Sequence, residues 1–379
     1  MKHFLLTCLM FVVLVGRGQS TVSTLVHNGL TRSYRIYVPG SYSGNVAVPL
    51  LFNLHGYTSN ALQQEFYGDF RDIADTANFI LVHPDGTVDP NGNTYWNAFG
   101  AVAGIDDVGF ISALIDKIDQ DYNIDLNRVY SCGMSNGGFM SYRLACELAD
   151  RITAVASVTG TMPINAPANC NPDKPTPVMQ IHGTADPTVP YNGNASIMAI
   201  EALVNWWVNF NQCSITPSIS NVPNTNINDM CTAERYLYTG GNNGSTVELF
   251  KVTPGAHTWP GAPIVIGVTN MDFNASVEIW RFFRQYSMQS LLSIPNTVPV
   301  SFKIYPNPVG NEDLVIDISK TNPPDFQFKL YDLTGKLLFS TNLNEEKNKI
   351  ETQYLQKGLY LITISDGLTI QTCTLIKSD

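Results

Sequence analysis

Apolar residues recur with two alternating spacings between residue 21 and about residue 286. Continuous apolar runs, such as Val48–Leu54 and Phe79–Val82, are typical of strands that are buried on both faces. The segment Asp107–Tyr122 instead repeats apolar residues with the spacing of one face of a helix. Strands that alternate with helices predict βαβ units and a mostly parallel sheet, so we expect an α/β fold. The predicted strands are Ser33–Val38, Val48–Leu54, Phe79–Val82, Val129–Cys132, Ala154–Val158, Pro177–Ile181 and Val247–Val252. The predicted helices are Ala61–Ala77, Asp107–Tyr122, Phe139–Leu148, Ile197–Phe210 and Ala275–Tyr286.

The pattern changes after Tyr286, where a linker with two prolines is predicted at residues 289–301. Short strand-like runs separated by turn residues then continue to the C terminus. They predict a small all-β sandwich at residues 302–379, joined by the linker to an α/β domain at residues 21–288. Its predicted strands are Phe302–Tyr305, Leu314–Ile318, Phe326–Leu330, Lys336–Ser340, Leu359–Ser365 and Thr369–Ile376.

Residues 1–20 have the three parts of a secretory signal peptide. Lys2 precedes the apolar run Phe4–Val15, and small residues follow as far as Ser20, near which we expect cleavage. No later segment is long and apolar enough to span a bilayer, so we expect a secreted chain without a permanent membrane span. Lys and Arg total 22 against 32 Asp and Glu. This balance argues against nucleic acid as a partner, because phosphate binding requires a basic surface.

Six of the seven cysteines remain after the signal peptide. Cys213 and Cys231 bracket a polar loop and are the first pair expected to form a disulfide, which an exported protein permits. The second expected pair is Cys146 with Cys170, while Cys132 on a buried strand should remain a free thiol. None has the C-x-x-C spacing of zinc or redox sites, and we expect neither metal nor cofactor.

The segment around Ser135 carries the clearest chemical pattern. A β-rich run ends at Gly133-Met-Ser-Asn-Gly137, a G-x-S-x-G pentapeptide, and a helical segment follows at once. Such a strand–turn–helix is where α/β-hydrolases hold a nucleophilic serine, because the glycines leave room for a sharp turn. The pentapeptide alone is equally compatible with an ordinary loop, so the interpretation depends on the other catalytic groups.

A nucleophilic serine needs a base, usually a histidine held by a carboxylate, and α/β-hydrolases supply them in the order Ser, acid, His. Of the six histidines only His257 follows both Ser135 and the best candidate acid. That acid is Asp186, in a loop directly after a buried strand. The alternatives are a solvent-exposed turn for His257 and an N-cap or Asx-turn for Asp186.

The oxyanion formed during attack requires N–H donors. One is expected from the amide of Asn136, and the other from the loop after Leu54, where Tyr57 is preferred to Thr58. His55 in the same loop is expected to be structural. The candidates for stacking on an aromatic acyl group or a sugar, each with ordinary packing as the alternative, are Trp96, Tyr191 and Trp259.

Residues 27–286 resemble the secreted feruloyl esterase, acetylxylan esterase and polyhydroxybutyrate depolymerase group of α/β-hydrolases. The matching segments are Leu54-His-Gly56, Tyr95-Trp-Asn-Ala98, Asp106-Asp-Val-Gly-Phe110, Gly133-Met-Ser-Asn-Gly-Gly138, His182-Gly-Thr-Ala-Asp-Pro187 and Gly255-Ala-His-Thr-Trp-Pro-Gly261. The resemblance implies Ser135 as nucleophile, Asp186 as acid and His257 as base. The chain departs from the group at Gly100–Gly104, which lacks the cysteine pair expected in relatives.

Residues 302–379 resemble the C-terminal sorting domain of the type IX secretion pathway of Bacteroidetes. The matching segments are Tyr305-Pro-Asn-Pro308, Leu330-Tyr-Asp-Leu-Thr-Gly-Lys336, Gly358-Leu-Tyr-Leu-Ile-Thr-Ile364 and Leu375-Ile-Lys377. The resemblance implies an address that the secretion machinery recognises and that is often removed after export. A carbohydrate-binding sandwich is the alternative interpretation.

The sequence thus predicts a secreted serine esterase that works through an acyl-enzyme. The expected substrate is a hydroxycinnamoyl (feruloyl) ester of plant cell-wall polysaccharide, with polyhydroxyalkanoate and acetylxylan as alternatives. A peptidase with the same three residues is a weaker alternative, because no gating domain accompanies them. The alternative from another class is a surface carbohydrate-binding or adhesion protein, which the intact Ser135, Asp186 and His257 disfavour.

Overall fold

A computed structural model describes residues 18–98, 100, 102–292, 302–318, 326–333, 335–365 and 370–378. The chain divides into two compact units, Met1–Ile294 and Pro295–Asp379. Residues 1–17 of the predicted signal peptide and residues 293–301 of the predicted linker lie outside the described residues. In the part that is described, no helix combines the length and apolarity needed to cross a membrane.

The first unit is built on one large sheet. Its strands are β1 (Gln19–His27), β2 (Leu30–Val38), β3 (Val48–Leu54), β4 (Ile80–Pro84), β5 (Thr87–Val88), β6 (Thr94–Tyr95), β7 (Ile124–Met134), β8 (Ala154–Val158), β9 (Val178–Gly183), β10 (Ser218–Asn221), β11 (Thr232–Tyr238) and β12 (Val247–Thr253). Ten of them form a sheet in the order β1-β2-β4-β3-β7-β8-β9-β12-β11-β10, while β5 pairs with β6. The six central strands, β4 to β12 in that order, are parallel, and antiparallel strands extend both edges.

Helices cover both faces of this sheet. They are α1 (Ala61–Tyr67), α2 (Arg71–Ala77), α3 (Asp107–Asp121), α4 (Asn136–Glu147), α5 (Ile200–Phe210), α6 (Ala275–Phe283) and α7 (Met288–Leu292). Phe110 of α3 and Leu203 of α5 pack in one apolar cluster, whereas Ala74 of α2 and Phe282 of α6 pack in another. Because the central strands are covered on both sides, their side chains are buried and mostly apolar on both faces, and the predicted α/β fold is confirmed.

The predicted helix 61–77 is interrupted in the structure. Helix α1 ends at Tyr67, and Gly68 follows as its C-cap. The Asp69 carboxylate then accepts a hydrogen bond from the Arg71 N–H at 2.9 Å, at the point where α2 begins. A side chain that satisfies an unpaired first-turn N–H starts a new helix, so the apolar spacing alone misses the break.

The predicted linker also begins as a helix. Residues 289–292 belong to α7, and Leu291 is buried in the core of the first unit. At the other end of the unit, Gln19 and Ser20 lie within β1, and the Ser20 hydroxyl donates to Glu65 at 2.9 Å. The expected cleavage position near Ser20 therefore falls inside this strand.

The second unit is all-β, as predicted. Its strands are β13 (Phe302–Tyr305), β14 (Leu314–Ile318), β15 (Phe326–Tyr331), β16 (Leu337–Leu343), β17 (Lys347–Ile350), β18 (Gly358–Ser365) and β19 (Ile370–Lys377). They form two antiparallel sheets, β13-β14-β17 and β16-β15-β18-β19. Ile316 of the first sheet and Phe328 and Ile362 of the second pack in one apolar cluster. Strand β17 was not predicted, because three of its four residues are polar.

The disulfide differs from the first expectation. Cys146 and Cys170 are bonded, whereas Cys213 and Cys231 are buried free thiols. The expectation is wrong because the two cysteines lie at opposite ends of β11. Cys231 comes directly before its first residue, Thr232. Cys213 lies near its last residue, since the Ser214 N–H donates to the Thr239 carbonyl, just after the strand ends. The seven residues of β11 span about 20 Å, far beyond the reach of a disulfide.

Replacing Cys146 and Cys170 together by serine is expected to lower the free energy of unfolding by about 3 kcal/mol. The bond joins residues 24 positions apart, and losing it returns conformational freedom to the unfolded chain. Urea denaturation with and without a reductant measures the effect. The reductant should bring the wild type down to the level of the double variant and leave that variant unchanged. Equal stability of the oxidised wild type and the variant would contradict the prediction.

Candidate active site

Ser135 occupies a sharp turn at the carboxyl edge of the sheet. It lies between Met134, the last residue of β7, and Asn136, the first residue of α4. Its backbone has φ 52° and ψ −117°, a combination that side-chain-bearing residues seldom adopt. The Ser135 N–H donates to the Val158 carbonyl at 2.8 Å, and its carbonyl accepts from the Phe139 N–H at 3.0 Å. The neighbouring strand and the new helix thus hold this conformation.

The glycines of the pentapeptide allow the end of β3 to approach this turn. A Cβ atom on Gly133 would lie 2.7 Å from the Leu54 carbonyl oxygen, and one on Gly137 would lie 2.7 Å from the His55 carbonyl oxygen. Both distances are too short for carbon, so larger residues would push the two segments apart. The loop after β3 is consequently brought against Ser135, where a Cβ on Gly56 would lie 3.6 Å from the Ser135 Cβ.

Asp186 and His257 are in direct contact. His257 Nδ1 lies 2.7 Å from Asp186 Oδ2, and Asp186 Oδ1 accepts from the Thr188 and Val189 N–H groups at 2.8 and 2.9 Å. Burial opposes ionisation of this carboxyl, but hydrogen bonds from His182 and His257 hold the pKa of Asp186 well below its usual range. A buried carboxylate that accepts the Nδ1 proton leaves His257 Nε2 as the basic nitrogen.

Ser135 and His257 line the same cavity, which has a volume of about 620 Å³. Among the described lining residues there is no Asp, Glu, Lys or Arg. The remaining lining residues are Gly56, Tyr57, Ser59, Leu62, Gln63, Gln64, Phe66, Tyr67, Met134, Ile264 and Ile266. The structure therefore joins a predicted nucleophile and a predicted base at one mostly apolar cavity.

The expected oxyanion donors are both next to this cavity. The Thr58 N–H is occupied, since it donates to the Thr94 carbonyl at 2.8 Å. The Tyr57 N–H has no acceptor among the described hydrogen bonds. The Asn136 N–H is the first of α4, and N–H groups of a first turn have no acceptor within their helix. Tyr57 and Asn136 therefore remain the two candidate donors.

A hydrogen-bond network holds the Tyr57 loop in place. His55 Nε2 accepts from the Gly86 N–H at 2.9 Å, so the ring proton is on Nδ1, which donates to the Gly56 carbonyl at 2.7 Å. The Trp96 indole donates to the His55 carbonyl at 3.0 Å, and the Asn136 side chain binds the Trp96 backbone at 2.6 and 3.1 Å. His55 is structural, as expected.

The three aromatic rings expected to stack on substrate are packed inside the protein. Trp96 and Trp259 are each 1 % exposed, Tyr191 is 7 % exposed, and none lines the cavity. The Trp259 indole donates to the Ser276 hydroxyl at 3.2 Å, and the Tyr191 hydroxyl donates to Glu201 at 3.2 Å. These contacts replace the expected stacking on substrate, because they turn the three rings toward the protein interior.

The apolar residues that line the cavity were not predicted from the sequence. Leu62 and Phe66 come from α1, and Ile264 and Ile266 come from the loop after His257. The segment Ile264-Val265-Ile266 of this loop is here called the strap. The strap residues are 58, 59 and 58 % exposed. The sequence does contain one indication of the strap, since three consecutive apolar residues lie in a segment that forms neither strand nor helix.

The chain shows clear similarity to known proteins. Residues 45–232 match the phospholipase/carboxylesterase family, and residues 303–378 match the secretion system C-terminal sorting domain. The putative esterase NocK of Nocardia uniformis subsp. tsuyamanensis is 28% identical over 302 residues, covering 69% of this chain and 82% of that protein. Feruloyl esterase B of Piromyces equi is 29% identical over 237 residues, covering 60% of this chain and 42% of that longer protein.

Among solved structures, an acetyl xylan esterase from Aspergillus awamori has a TM-score of 0.51 at 14% identity, covering 70% of this chain and 99% of that chain. At this identity the likeness concerns the fold, which is that of the α/β-hydrolases. The chain therefore joins an α/β-hydrolase domain of the carboxylic ester hydrolase type, related to the feruloyl and acetylxylan esterases, to a C-terminal sorting domain of a secretion system.

Proposed function

We propose that this chain is a secreted serine esterase that cleaves feruloyl and related hydroxycinnamoyl esters of plant cell-wall polysaccharide. The observation that carries the proposal is that Ser135 and His257 line one apolar cavity, and that Asp186 forms a hydrogen bond with Nδ1 of this histidine. A nucleophile, its base and an orienting carboxylate at one cavity are the parts that acyl transfer requires.

In the first step Ser135 Oγ attacks the ester carbonyl carbon while His257 Nε2 takes the hydroxyl proton. The Tyr57 and Asn136 N–H groups stabilise the carbonyl oxygen as it becomes negative. Asp186 stabilises the imidazolium that forms. The carbon–oxygen bond to the alcohol then breaks, and His257 returns the proton to the departing alcohol oxygen.

In the second step water repeats the attack. His257 removes a proton from water, the new oxygen bonds to the acyl carbon, and the bond to Ser135 breaks. The proton returns to the Ser135 oxygen, and the free carboxylic acid leaves.

The cavity favours a large, uncharged acyl group. Its volume of about 620 Å³ lies in the range of sites for drug-sized ligands. A hydroxycinnamoyl ring would bury apolar surface against Phe66 and the strap, whereas an acetyl group would leave most of these walls in water. The alcohol portion, a sugar in the proposed substrate, would then extend from the open side of the cavity.

Replacing Ile264 and Ile266 together by serine tests the acyl preference. We expect kcat/KM for methyl ferulate to fall about tenfold and kcat/KM for 4-nitrophenyl acetate to change less than about twofold, because only the larger acyl group contacts these side chains. Ile215→Ser is the matched control, since this isoleucine is 78 % exposed and does not line the cavity. Equal losses for both esters, or an unchanged rate for ferulate, would exclude the proposed acyl site.

We further propose that residues 1–20 direct export and that the second unit is the address for the type IX secretion machinery. The match of residues 303–378 to a sorting domain supports this role. The protein secreted by its native host is expected to lack the region beyond about residue 300, which mass spectrometry of the intact product would reveal. A secreted product that retains the whole second unit would argue against removal of the address.

A further inference from the structure

A second histidine lies against the carboxylate that binds His257. His182 Nε2 is 3.4 Å from Asp186 Oδ2 and 2.9 Å from the Val189 carbonyl oxygen. His182 is 1 % exposed and Asp186 5 % exposed, so water does not compete for these contacts. This buried imidazole takes no part in the proton transfers of the proposed acyl transfer.

The neighbouring glutamine determines which ring nitrogen of His182 carries the proton. Gln180 Nε2 is 2.8 Å from the Gly160 carbonyl oxygen and 2.9 Å from His182 Nδ1, while Gln180 Oε1 accepts from the Tyr142 hydroxyl at 2.7 Å. A carbonyl oxygen only accepts, so the amide nitrogen must face Gly160. Its second hydrogen then points to His182 Nδ1, which acts as acceptor, and the ring proton is on Nε2.

We propose that His182 is a positioning residue. Its single Nε2–H, shared between the Val189 carbonyl and Asp186 Oδ2, sets how strongly this carboxylate binds the Nδ1 proton of His257. The inference rests on the proposed function, because it concerns the acid of the same site. Asp186 Oδ2 faces two imidazole N–H groups. The His257 Nδ1–H lies at 2.7 Å, and the His182 Nε2–H lies at 3.4 Å while making its shorter contact with the Val189 carbonyl at 2.9 Å. The two donors share the negative charge of one oxygen.

The surroundings leave few other groups that could act on Asp186. Within the described residues, the titratable side chains that face its carboxylate are His182 from β9 and His257 from the loop after β12. Its other donors are the Thr188 and Val189 amides, which bind Oδ1. Loss of the His182 donor therefore concentrates negative charge on the oxygen that faces His257, which makes His257 a stronger base.

A pair of amide substitutions separates hydrogen bonding from packing. The amide nitrogen of glutamine can take the place of imidazole Nε2, whereas that of asparagine reaches only the place of Nδ1. His182→Gln should therefore keep the acid limb of the pH profile of kcat/KM where it is in the wild type. His182→Asn should move this limb upward by about half a pH unit and lower kcat about tenfold. His27→Asn is the control, since His27 also binds an aspartate, Asp106, at 3.0 Å, and should leave the profile unchanged.

The proposal would be overturned if the acid limb of the kcat/KM profile stays in place in His182→Asn, or if it moves equally in both variants. His182 would then have only a packing role. The tautomer can be checked without any variant by ¹⁵N NMR of the histidine rings in the wild type. We expect His182 to carry its proton on Nε2, and a proton on Nδ1 would overturn the proposal. Ser135→Ala with wild-type activity would instead refute the esterase mechanism, and the tautomer measurement would be unaffected by that failure.

Discussion

Ser135→Ala is expected to lower kcat for methyl ferulate by about 10⁵-fold, with KM changed less than about threefold. The hydroxyl is the attacking group in the proposed mechanism, and an alanine leaves the base without a proton to remove. The apolar walls that bind the acyl group are untouched, which is why binding should persist. Steady-state kinetics with release of ferulic acid as the readout measures both constants.

The matched control for this substitution is Ser59→Ala. Ser59 lines the same cavity but has no part in the proposed proton transfers. Its variant should retain kcat within about threefold of the wild type. Comparable rates for Ser135→Ala and Ser59→Ala, in samples with unchanged thermal unfolding, would contradict the assignment of the nucleophile.

Asp186→Asn is expected to lower kcat by about 10⁴-fold. The Thr188 and Val189 N–H groups donate to Oδ1, so the oxygen of the new amide must occupy that position. The amide NH₂ group then faces His257 Nδ1, which has to act as acceptor. His257 consequently carries its proton on Nε2 and is unable to take one from Ser135.

In this orientation the new NH₂ group also faces His182 Nε2–H, so two hydrogen-bond donors lie opposite each other. The variant should therefore also be less stable than the wild type. Asp173→Asn serves as the control, because Asp173 is an exposed aspartate that precedes β9. It should keep kcat near the wild-type value. If the Asp186→Asn protein is fully folded and its kcat falls less than tenfold, Asp186 is excluded as the partner of His257.

The central strands of the fold were predictable because parallel strands that are covered on both faces appear in the sequence as continuous runs of apolar residues. β8 is buried at all five positions, and its predicted bounds match the structure. The antiparallel edges were not predictable in this way. All four residues of β10 are exposed, and β11 has alternation too irregular to distinguish a strand from a polar loop. Their positions depend on pairing with β12, which a local sequence window does not contain.

The polar part of the candidate site was predictable for a different reason. The order Ser, acid, His leaves a single histidine, His257, and the structure places it against Asp186 and beside the same cavity as Ser135. The cavity walls were not predictable, because α1 and the strap are about 200 residues apart in the chain. Burial of Trp96 and Trp259 was missed because only the folded loops show that both indoles point into the protein.

In the proposed mechanism the acyl group is bonded covalently to Ser135 between the two steps. The most direct measurement is acid quenching of the enzyme during turnover of methyl ferulate, followed by digestion and mass spectrometry of the peptides. We expect one feruloyl group on the peptide that contains Ser135, and none in Ser135→Ala. Turnover without any adduct, or an adduct on a different residue, would contradict it.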